Sequence, residues 1–456
     1  MQLPEALLQS LNGLKGFDKE NFTRAHQSGE QVTSIRLNPA KPVNQFSILN
    51  FQFPIPWCRN GYYLPERPSF TLDPLFHTGA YYVQEASSMF LETAIQQTVD
   101  LSQPLKVLDL CAAPGGKSTL IQSLLNKDSF LVSNEVIKSR VSILAENITK
   151  WGAANVVVTN NDPKDFQRLE NYFDVIVVDA PCSGSGLFRK DPDAVNEWSE
   201  NNVQLCSQRQ QRILADVLPA LKDGGVLIYS TCSYSAAEDE NITDWLTGEY
   251  GLQSLSLQTE TGWGIVETIS PGQQAPSYRF YPDKIKGEGF FIAAFKKEGH
   301  VMYQAMQGKH HKQTAKATTA EINVVKPYLQ ESDGFSFIKQ EDTVLALPFC
   351  VAEELLVLKS ALYIKKAGIT LGKVIREELV PDHELALSTF LHPSIPVIDL
   401  DETTALQYLR RQDIRPPTSV KGWALAAYRD LPLGWVKILP NRINNYYPAA
   451  WRIVNK

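Results

Sequence analysis

Two of the six cysteines follow apolar, β-branched segments, and these two are the first candidates for chemistry. Cys182 lies in DAPCSGSG after the run DVIVVDA, and Cys232 lies in STCSYS after GGVLIYS. Such runs predict buried parallel strands, and side chains just past the strand ends face the ligand cleft of an open α/β sheet. We therefore expect both thiols at one cleft. Spacing alone leaves open a nucleophile, a pair of small buried hydrophobes and a disulfide.

One reaction that needs a thiolate is methylation of a pyrimidine at carbon 5. Carbon 5 is barely nucleophilic by itself. Addition of a thiolate to carbon 6 gives carbon 5 enamine character and lets it attack a methylsulfonium. Such an enzyme needs a thiol, a proton donor to ring N3 and a means of removing the proton from carbon 5. Cys232 or Cys182, together with Asp179, could supply these groups.

The elements that would position these residues alternate regularly from about residue 104. Helical segments separate five short predicted strands, which are KVLDL (106–110), FLVSNE (130–135), NVVVTN (155–160), DVIVVDA (174–180) and GVLIYSTC (225–232). One helix is predicted to end at Gly152, and a later one to close on Gly224 and Gly225 in the same way. The alternation predicts a parallel, doubly wound sheet. Residues 279–297 predict a closing antiparallel pair.

The first predicted strand runs into CAAPGGKS, which is neither a Walker A loop nor a GxGxxG loop. A Pro-Gly-Gly turn before a helix brings backbone N–H groups close to a ligand, and it suits an adenosine that carries a carboxylate better than a polyphosphate. The following strands end near Glu135, placed for ribose hydroxyls, Asp162, placed for an adenine amino group, and Asp179. S-adenosylmethionine is the cofactor that this arrangement suits best.

Composition limits the class of protein. The chain has 456 residues, so two to four domains are expected. The formal net charge of −6 excludes nucleic-acid binding through the overall field and leaves only local patches. We expect no membrane span and no secretory signal. The scattered cysteines contain no CxxC pair, which argues against a zinc site or a disulfide framework and for the cytoplasm.

The C-terminal segment from Tyr408 to Lys456 is locally basic and aromatic. The basic residues, against only two acidic ones, are Arg410, Arg411, Arg415, Lys421, Arg429, Lys437, Arg442, Arg452 and Lys456. The interleaved aromatic residues are Trp423, Trp435, Trp451, Tyr428, Tyr446 and Tyr447. This mixture suits phosphate contacts and base stacking, although a small β-domain with a cationic face has the same pattern. The adjacent His310 and His311 are expected to be solvated, and no metal site is expected.

Three motifs together resemble those of the Sun-type RNA (cytosine-5)-methyltransferases. They are CAAPGGKS, DAPCSGSGLFRKDPDAV and YSTCSYSAAEDEN. The similarity also takes in SIRLNP, GAYYVQEASSM and residues 133–162, and LGWVKILPNRINNYYPAAWR resembles the PUA-like RNA-binding domain that ends some of these proteins. One departure is Ala237, where the family usually has a glutamate, and this puts any role for that position in doubt.

The resemblance implies a role for each candidate residue. Cys232 would attack carbon 6 of the cytosine, and Cys182 would assist release of the methylated RNA. Asp179 would hydrogen-bond the ring edge, and Lys117 would touch both the methyl donor and the base. The implied S-adenosylmethionine site consists of Cys111, Ala112, Ala113, Pro114, Gly115, Gly116, Lys117, Glu135, Asp162 and Asp179.

The resemblance also implies a Rossmann-like class I methyltransferase fold with additions at both ends. The expected domains are an N-terminal α+β RNA-positioning domain (1–75), the catalytic domain (76–298), a connecting region (299–375) and a PUA-like domain (376–456). The expected substrate is 16S ribosomal RNA within the 30S subunit, and the expected state is a cytoplasmic monomer. Transfer RNA as substrate and a non-catalytic ribosome-assembly factor are the alternatives. An amino-group methyltransferase is disfavoured, because the fourth strand ends in DAPC rather than in an Asn-Pro-Pro-Tyr type motif.

Overall fold

The computed structural model describes residues 2–43, 51, 53–299 and 315–454. The prediction made for His310 and His311 lies outside the described residues. Within the described ranges, no helix has the length and apolar character needed to cross a membrane.

The N-terminal part of the chain forms a small α+β unit. Its elements are α1 (Glu5–Ser10), α2 (Lys19–Gln27), β1 (Thr33–Leu37), β2 (Gly61–Leu64), α3 (Pro74–Thr78) and β3 (Tyr81–Val83). The strands form an antiparallel sheet with β1 in the centre. Arg36 of β1 is buried, and it donates to Thr119 Oγ1 at 2.6 Å and to the Gly116 carbonyl at 3.2 Å. The N-terminal sheet is thereby fixed to the start of the first helix after CAAPGGKS.

The central part of the chain forms a large sheet covered by helices. Its elements are α4 (Leu91–Thr98), β4 (Lys106–Asp109), α5 (Gly116–Leu124), β5 (Phe130–Asn134), α6 (Lys138–Trp151), β6 (Val156–Thr159), β7 (Phe173–Asp179), α7 (Ala194–Glu197), α8 (Glu200–Val217), β8 (Leu221–Thr231), α9 (Glu240–Tyr250), β9 (Gln253–Leu255), β10 (Val266–Ile269), β11 (Pro276–Phe280) and β12 (Phe290–Lys296). The five strands β6-β5-β4-β7-β8 are parallel in that order, and β12, β11 and β10 continue the sheet antiparallel. The predicted doubly wound sheet and its closing antiparallel pair are confirmed.

Chain order reverses between β4 and β7, and this switch point determines where the candidate residues meet. Helices α4, α5 and α6 pack on one face of the sheet, and α8 and α9 pack on the other. Both faces are therefore buried, which explains why the parallel strands read as continuous apolar runs. In such a sheet, ligands bind beyond the carboxyl ends of the strands at the switch point.

The two predicted helix ends have different outcomes. Helix α6 ends at Gly152, which has a φ of +90°, as a C-terminal cap glycine does. The prediction that the later helix closes on Gly224 is wrong, because α8 ends at Val217 and β8 begins at Leu221. Pro219 intervenes and cannot continue the helix, since proline lacks a backbone N–H.

The C-terminal part of the chain forms two further four-stranded sheets. Its elements are α10 (Thr319–Val325), β13 (Phe335–Gln340), β14 (Thr343–Pro348), α11 (Phe349–Ala361), β15 (Ile364–Ala367), β16 (Ile369–Ile375), β17 (Glu378–Pro381), α12 (His383–Leu387), β18 (Val397–Asp399), α13 (Glu402–Leu409), β19 (Gly422–Tyr428), β20 (Leu431–Leu439) and β21 (Arg442–Asn445). The sheets have the orders β13-β14-β16-β17 and β18-β19-β20-β21. Strand β15, within the region predicted as a connection, pairs antiparallel with β6 and extends the catalytic sheet. The predicted domain boundaries stay predictions.

Candidate active site

The two candidate cysteines meet at the carboxyl ends of neighbouring strands. Strands β7 and β8 are parallel, and Asp179 lies opposite Ser230. Cys232 follows β8 directly and Cys182 lies three residues beyond β7, so that their Sγ atoms approach to 3.1 Å. Both are free thiols. The hydrogen bond to Cys232, followed by burial, raises the pKa of Cys182 well above its ordinary value, so Cys182 keeps its proton.

A lysine–aspartate ion pair lies at the same strand ends. Lys117 Nζ is 2.7 Å from Asp179 Oδ2, and Ser230 Oγ donates to Asp179 Oδ1 at 2.8 Å. Nζ also lies 5.3 Å from the centre of the Phe290 ring. Burial alone would lower the pKa of Lys117, but the charge and the hydrogen bond of Asp179, together with other negative groups nearby, outweigh burial, and the pKa is raised. Lys117 is therefore a fixed cation, and a negative charge on the Cys232 sulfur also raises its pKa.

The loop 111–117 is held in place by helix α6. Arg140 Nη2 donates to the Ala113 carbonyl at 2.6 Å, and Asn147 Nδ2 donates to the Pro114 carbonyl at 2.8 Å. Gly115 precedes α5 with a φ of +118°, a conformation that residues with a side chain rarely adopt. The loop thus turns sharply into the N-terminus of α5, whose first N–H groups have no intrahelical partners.

The acidic residues of the next two strand ends already have protein partners. Glu135 accepts a hydrogen bond from the Ile137 N–H at 2.8 Å, and its Oε2 lies 3.5 Å from Arg140 Nη1. Asp162 caps a short 3-10 helix by accepting from the Lys164 N–H at 3.2 Å. Each carboxylate still has lone pairs for a ligand. These two residues line the same strand-end edge as the thiols, without a direct contact to them among the described residues.

Two residues at this edge were missed by the sequence analysis. Asp109 ends β4 and is fully buried; Ser118 Oγ donates to its Oδ2 at 2.7 Å, and burial raises its pKa to about 7. An acidic residue at the end of the first predicted strand was the available signal. Tyr363, just before β15, receives a hydrogen bond from Asn160 N–H at 3.1 Å through its carbonyl, and no local sequence feature indicated this contact.

The segment after Cys232 is anchored by buried charges. Arg279 of β11 donates to the Tyr234 carbonyl at 2.9 Å and to Glu240 Oε1 at 2.6 Å, and its Nη2 lies 3.1 Å from Asp239 Oδ2. Ala237, the departure noted in the sequence, is partly buried and packs against an apolar cluster that includes residues of α1 and α2. Ala237 therefore makes an apolar contact at the position where the resemblance leads one to expect a glutamate.

Three of the six interleaved aromatic residues of the basic C-terminal segment are buried in the core. Trp435 and Tyr447 are 1% exposed and Tyr428 is 5% exposed, whereas Tyr446 is 41% exposed. Trp435 Nε1 donates to the Asp382 carbonyl at 2.8 Å. The predicted base stacking is wrong for the three buried rings, because rings that are 5% exposed or less have no face open to a base.

The cations of this segment remain at the surface. Arg411, Arg415 and Arg442 are exposed and line an open cleft of about 770 Å³ together with Tyr446. Asp413 is the one acidic residue among those that line it. In the described part of the chain, no group of three His, Cys, Asp or Glu residues is arranged to hold a metal ion.

Comparison with known proteins identifies the family. Family models match in succession: the N-terminal domain of 16S rRNA methyltransferase RsmF at 3–86, 16S rRNA methyltransferase RsmB/F at 96–296, and the methyltransferase RsmF PUA domain at 395–453. The ribosomal RNA small subunit methyltransferase F of Shewanella loihica is 30% identical over 433 residues, which cover 92% of this chain and 87% of the relative. The chain belongs to the RsmF family.

Another relative agrees with the RsmF assignment, and solved structures share the fold of the catalytic part. The ribosomal RNA small subunit methyltransferase F of Aeromonas salmonicida is 29% identical, covering 92% of this chain and 89% of the relative. A methyltransferase homologue from Pyrococcus horikoshii is 28% identical with a TM-score of 0.52, covering 65% of this chain and all of that chain. NSun6 from Pyrococcus horikoshii with SFG, 20% identical with a TM-score of 0.53 over 65% of this chain and 99% of that one, shares the fold. The predicted family, the RNA methyltransferase activity, the Rossmann-like catalytic domain and the PUA domain are confirmed.

Proposed function

We propose that the protein transfers a methyl group from S-adenosylmethionine to carbon 5 of a cytidine in 16S ribosomal RNA. The observation that carries the proposal is the pair of thiols 3.1 Å apart at the strand ends that also hold the Lys117–Asp179 ion pair. Transfer to a base amino group requires no sulfur nucleophile, whereas carbon 5 becomes reactive only after a thiolate has added to carbon 6.

The residues of the strand-end edge fit S-adenosylmethionine. The turn at Gly115 lets backbone approach a ligand, the free N–H groups of α5 suit a carboxylate, and Glu135 suits ribose hydroxyls. Asp109 Oδ1 is buried and has no hydrogen-bond partner among the described residues. NSun6, which shares the fold, was solved with SFG, an analogue of S-adenosylmethionine. When bound, the cofactor supplies an electrophilic methyl group.

The two cysteines divide the covalent chemistry between them. Cys232 loses its thiol proton to solvent and its sulfur forms a bond to carbon 6, while N3 takes a proton from solvent and the displaced electron pair comes to lie between carbons 4 and 5. After carbon 5 has received the methyl group, its proton passes to solvent, the double bond between carbons 5 and 6 forms again, the Cys232 sulfur leaves as thiolate and N3 gives its proton back to solvent. Cys182, which keeps its proton, donates a hydrogen bond to that departing sulfur and so assists release.

Asp179 and Lys117 hold the target base. The Asp179 carboxylate accepts a hydrogen bond from the ring edge of cytosine, and Lys117 fixes that carboxylate while it contacts both the base and the methyl donor. A cytosine must leave its stack to reach a thiol at this depth, which favours single-stranded or locally opened RNA. The N-terminal domain and the PUA domain position that RNA.

We infer that the substrate is the 30S subunit and that the protein is a cytoplasmic monomer. The relatives from Shewanella and Aeromonas carry the name of small-subunit ribosomal RNA methyltransferases. Six free cysteines, two of them required as thiols, need a reducing compartment. Light scattering measures the molar mass of the purified protein, alone and in the presence of RNA, and so tests whether it is a monomer.

The test uses radiolabelled S-adenosylmethionine, purified 30S subunits and four proteins. These are the wild type and the single variants Cys182→Ala, Cys232→Ala and Cys206→Ala. Cys206 is buried on α8 and serves as the matched control. We expect wild type and Cys206→Ala to methylate, Cys182→Ala to accumulate an RNA-linked protein that survives denaturation, and Cys232→Ala to give neither product.

Three results would contradict parts of the proposal. Methylation by Cys232→Ala would exclude this cysteine as the nucleophile. Label found at a position other than carbon 5 would exclude the chemistry. Transfer to bulk transfer RNA but not to 30S subunits would leave the chemistry intact and replace the substrate.

A further inference from the structure

The carboxylate of Glu238 joins the two cysteine loops. Its Oε1 accepts from the Ser183 N–H at 2.8 Å, and its Oε2 accepts from the Ser183 hydroxyl at 2.5 Å and the Ser233 hydroxyl at 2.6 Å. Ser183 directly follows Cys182, and Ser233 directly follows Cys232. One carboxylate therefore fixes the residue next to each thiol.

A further donor from helix α8 completes this arrangement. Gln210 Nε2 donates to Glu238 Oε1 at 3.1 Å and to the Pro181 carbonyl at 3.2 Å, so the chain is held on both sides of Cys182. Glu238 and Gln210 are fully buried. In addition, Tyr229 donates from its hydroxyl to the Glu238 carbonyl at 2.6 Å, which fixes the backbone that carries the carboxylate.

The physical chemistry of a carboxylate explains why this position suits one. Burial raises the pKa of Glu238, while the hydrogen bonds from Ser183, Ser233 and Gln210 favour its ionised form. An ionised carboxylate only accepts hydrogen bonds and has about four lone-pair directions. It can therefore take donors from both loops and from α8 at the same time, which a hydroxyl cannot.

We propose that Glu238 is a positioning residue that sets the distance between the Cys182 and Cys232 sulfurs. It touches neither the substrate nor the cofactor and acts through Ser183 and Ser233. The proposal rests on the proposed function in taking these thiols as the reacting pair, but the distance itself can be measured without substrate. Other hydrogen bonds still join the two loops, among them the one from the Gly186 N–H to the Cys232 carbonyl at 2.8 Å. Without the carboxylate, however, the residues next to the two thiols lose their shared acceptor, and the sulfurs separate on average.

The test measures how fast the two thiols can be joined. Diamide oxidises two neighbouring thiols to a disulfide, and its N=N bond takes up the two hydrogens. The rate of forming the Cys182–Cys232 disulfide in the full-length protein is followed by peptide mass spectrometry. The variants are Glu238→Ala, Glu238→Gln and, as a matched control, Glu92→Ala. Glu92 is also buried and accepts from Cys58 and from the Arg59 N–H, far along the chain from either loop.

We expect Glu238→Ala to slow disulfide formation about tenfold, the effect of losing roughly one charge-assisted hydrogen bond. Glu92→Ala should stay within about twofold of wild type. Glu238→Gln should recover most of the rate, because its amide oxygen can accept from Ser183 and its NH₂ can donate to the serine hydroxyls. A wild-type rate in Glu238→Ala, an equal loss in Glu92→Ala, or no recovery in Glu238→Gln would overturn the proposal.

Two further measurements keep the proposal testable if Glu238→Ala does not fold. The double variant Ser183→Ala, Ser233→Ala removes two hydroxyl donors and keeps the carboxylate, and we expect it to slow pairing about tenfold as well. In the methylation assay, the folded variants should lose kcat while the KM for 30S subunits stays within about twofold of wild type. A wild-type pairing rate and kcat in the double variant would refute the role of Glu238. If wild type transfers no methyl group to 30S subunits and Cys182→Ala accumulates no cysteine-linked RNA, the proposed function fails, while the pairing rate still judges the positioning role.

Discussion

Arg279 offers a direct test of how the segment after Cys232 is held. Arg279 is 1% exposed, and its guanidinium lies between the carboxylates of Glu240 and Asp239, at 2.5 Å and 3.1 Å from Nη2. At an effective dielectric constant of about 20, each attraction at about 3 Å amounts to roughly 5 kcal/mol. Desolvation of three buried ions offsets most of this. The intact cluster therefore contributes little to the net free energy of unfolding.

Removal of the arginine alone has a much larger effect. Arg279→Met leaves two buried carboxylates without a counter-ion, and breaking such a cluster costs about 3–5 kcal/mol. The variant also loses the donor to the Tyr234 carbonyl, so the backbone beyond Cys232 loosens. We expect the urea midpoint to fall by the equivalent of that free energy and methyl transfer to fall with it.

The pH dependence of this loss has a definite sign. Burial raises the pKa of Asp239 and the charge of Arg279 opposes this shift, so Arg279→Met raises the pKa further. A carboxyl group whose folded pKa exceeds its unfolded value, about 3.9, binds more protons in the folded state. The free energy of unfolding therefore falls as the pH rises from the unfolded to the folded pKa. The loss of unfolding free energy in Arg279→Met, relative to wild type, should be smallest near about pH 4 and should reach its full value above the folded pKa of Asp239 in the variant.

Urea unfolding followed by tryptophan fluorescence at several pH values measures both effects. Arg24→Met, which removes an exposed arginine paired with Glu20 at the surface, is the control and should leave the midpoint unchanged. Combining Arg279→Met with Asp239→Asn and Glu240→Gln should recover at least half of the loss. An Arg279→Met midpoint equal to wild type at pH 8, or a deficit that does not change with pH, would refute the reasoning.

Three other variants test the catalytic edge and the RNA-binding surface. Lys117→Met should lower kcat by about two orders of magnitude in the radiolabel assay, because Asp179 and the base lose a fixed cation; a wild-type kcat would exclude the role proposed for Lys117. Gly115→Ala should weaken S-adenosylmethionine binding, measured by calorimetry, about tenfold, since the new Cβ sits at a φ of +118° and 3.3 Å from Leu144. Arg442→Ala should weaken RNA binding and lower the slope of log affinity against log salt by about one, and an unchanged slope would remove this arginine from the RNA surface.

The catalytic sheet was predictable because its strands are buried on both faces. Continuous β-branched runs give a strong signal at that degree of burial, and parallel pairing follows from the helices between them. Since the carboxyl ends of parallel strands share one edge, the meeting of Cys182 and Cys232 also followed. The prediction for the end of α8 was wrong because it relied on Gly224. Pro219 comes earlier in the chain and cannot continue an α-helix.

The contact between β15 and β6 could not be predicted in the same way. It joins Ile364–Ala367 to Val156–Thr159, roughly two hundred residues apart in the chain. Neither segment has a local sequence feature that specifies the other strand as its partner. The same limit applies to Glu238, which lies in a recognised motif but whose importance depends on Ser183 and Gln210 arriving from other elements. Long-range hydrogen bonds of this kind are fixed by packing, not by spacing.

The C-terminal segment shows why charge and aromatic content carry different information. Burying an unpaired arginine is costly, so a run of arginines such as Arg411, Arg415 and Arg442 predicts a cationic surface reliably. Tryptophan and tyrosine are stable either in a core or at an interface, provided that their polar atom finds a partner. Trp435 finds one in a backbone carbonyl and is buried, while Tyr446 stays exposed beside the arginines. A stacking surface is thus readable from the sequence only where the aromatic side chains have no core to fill.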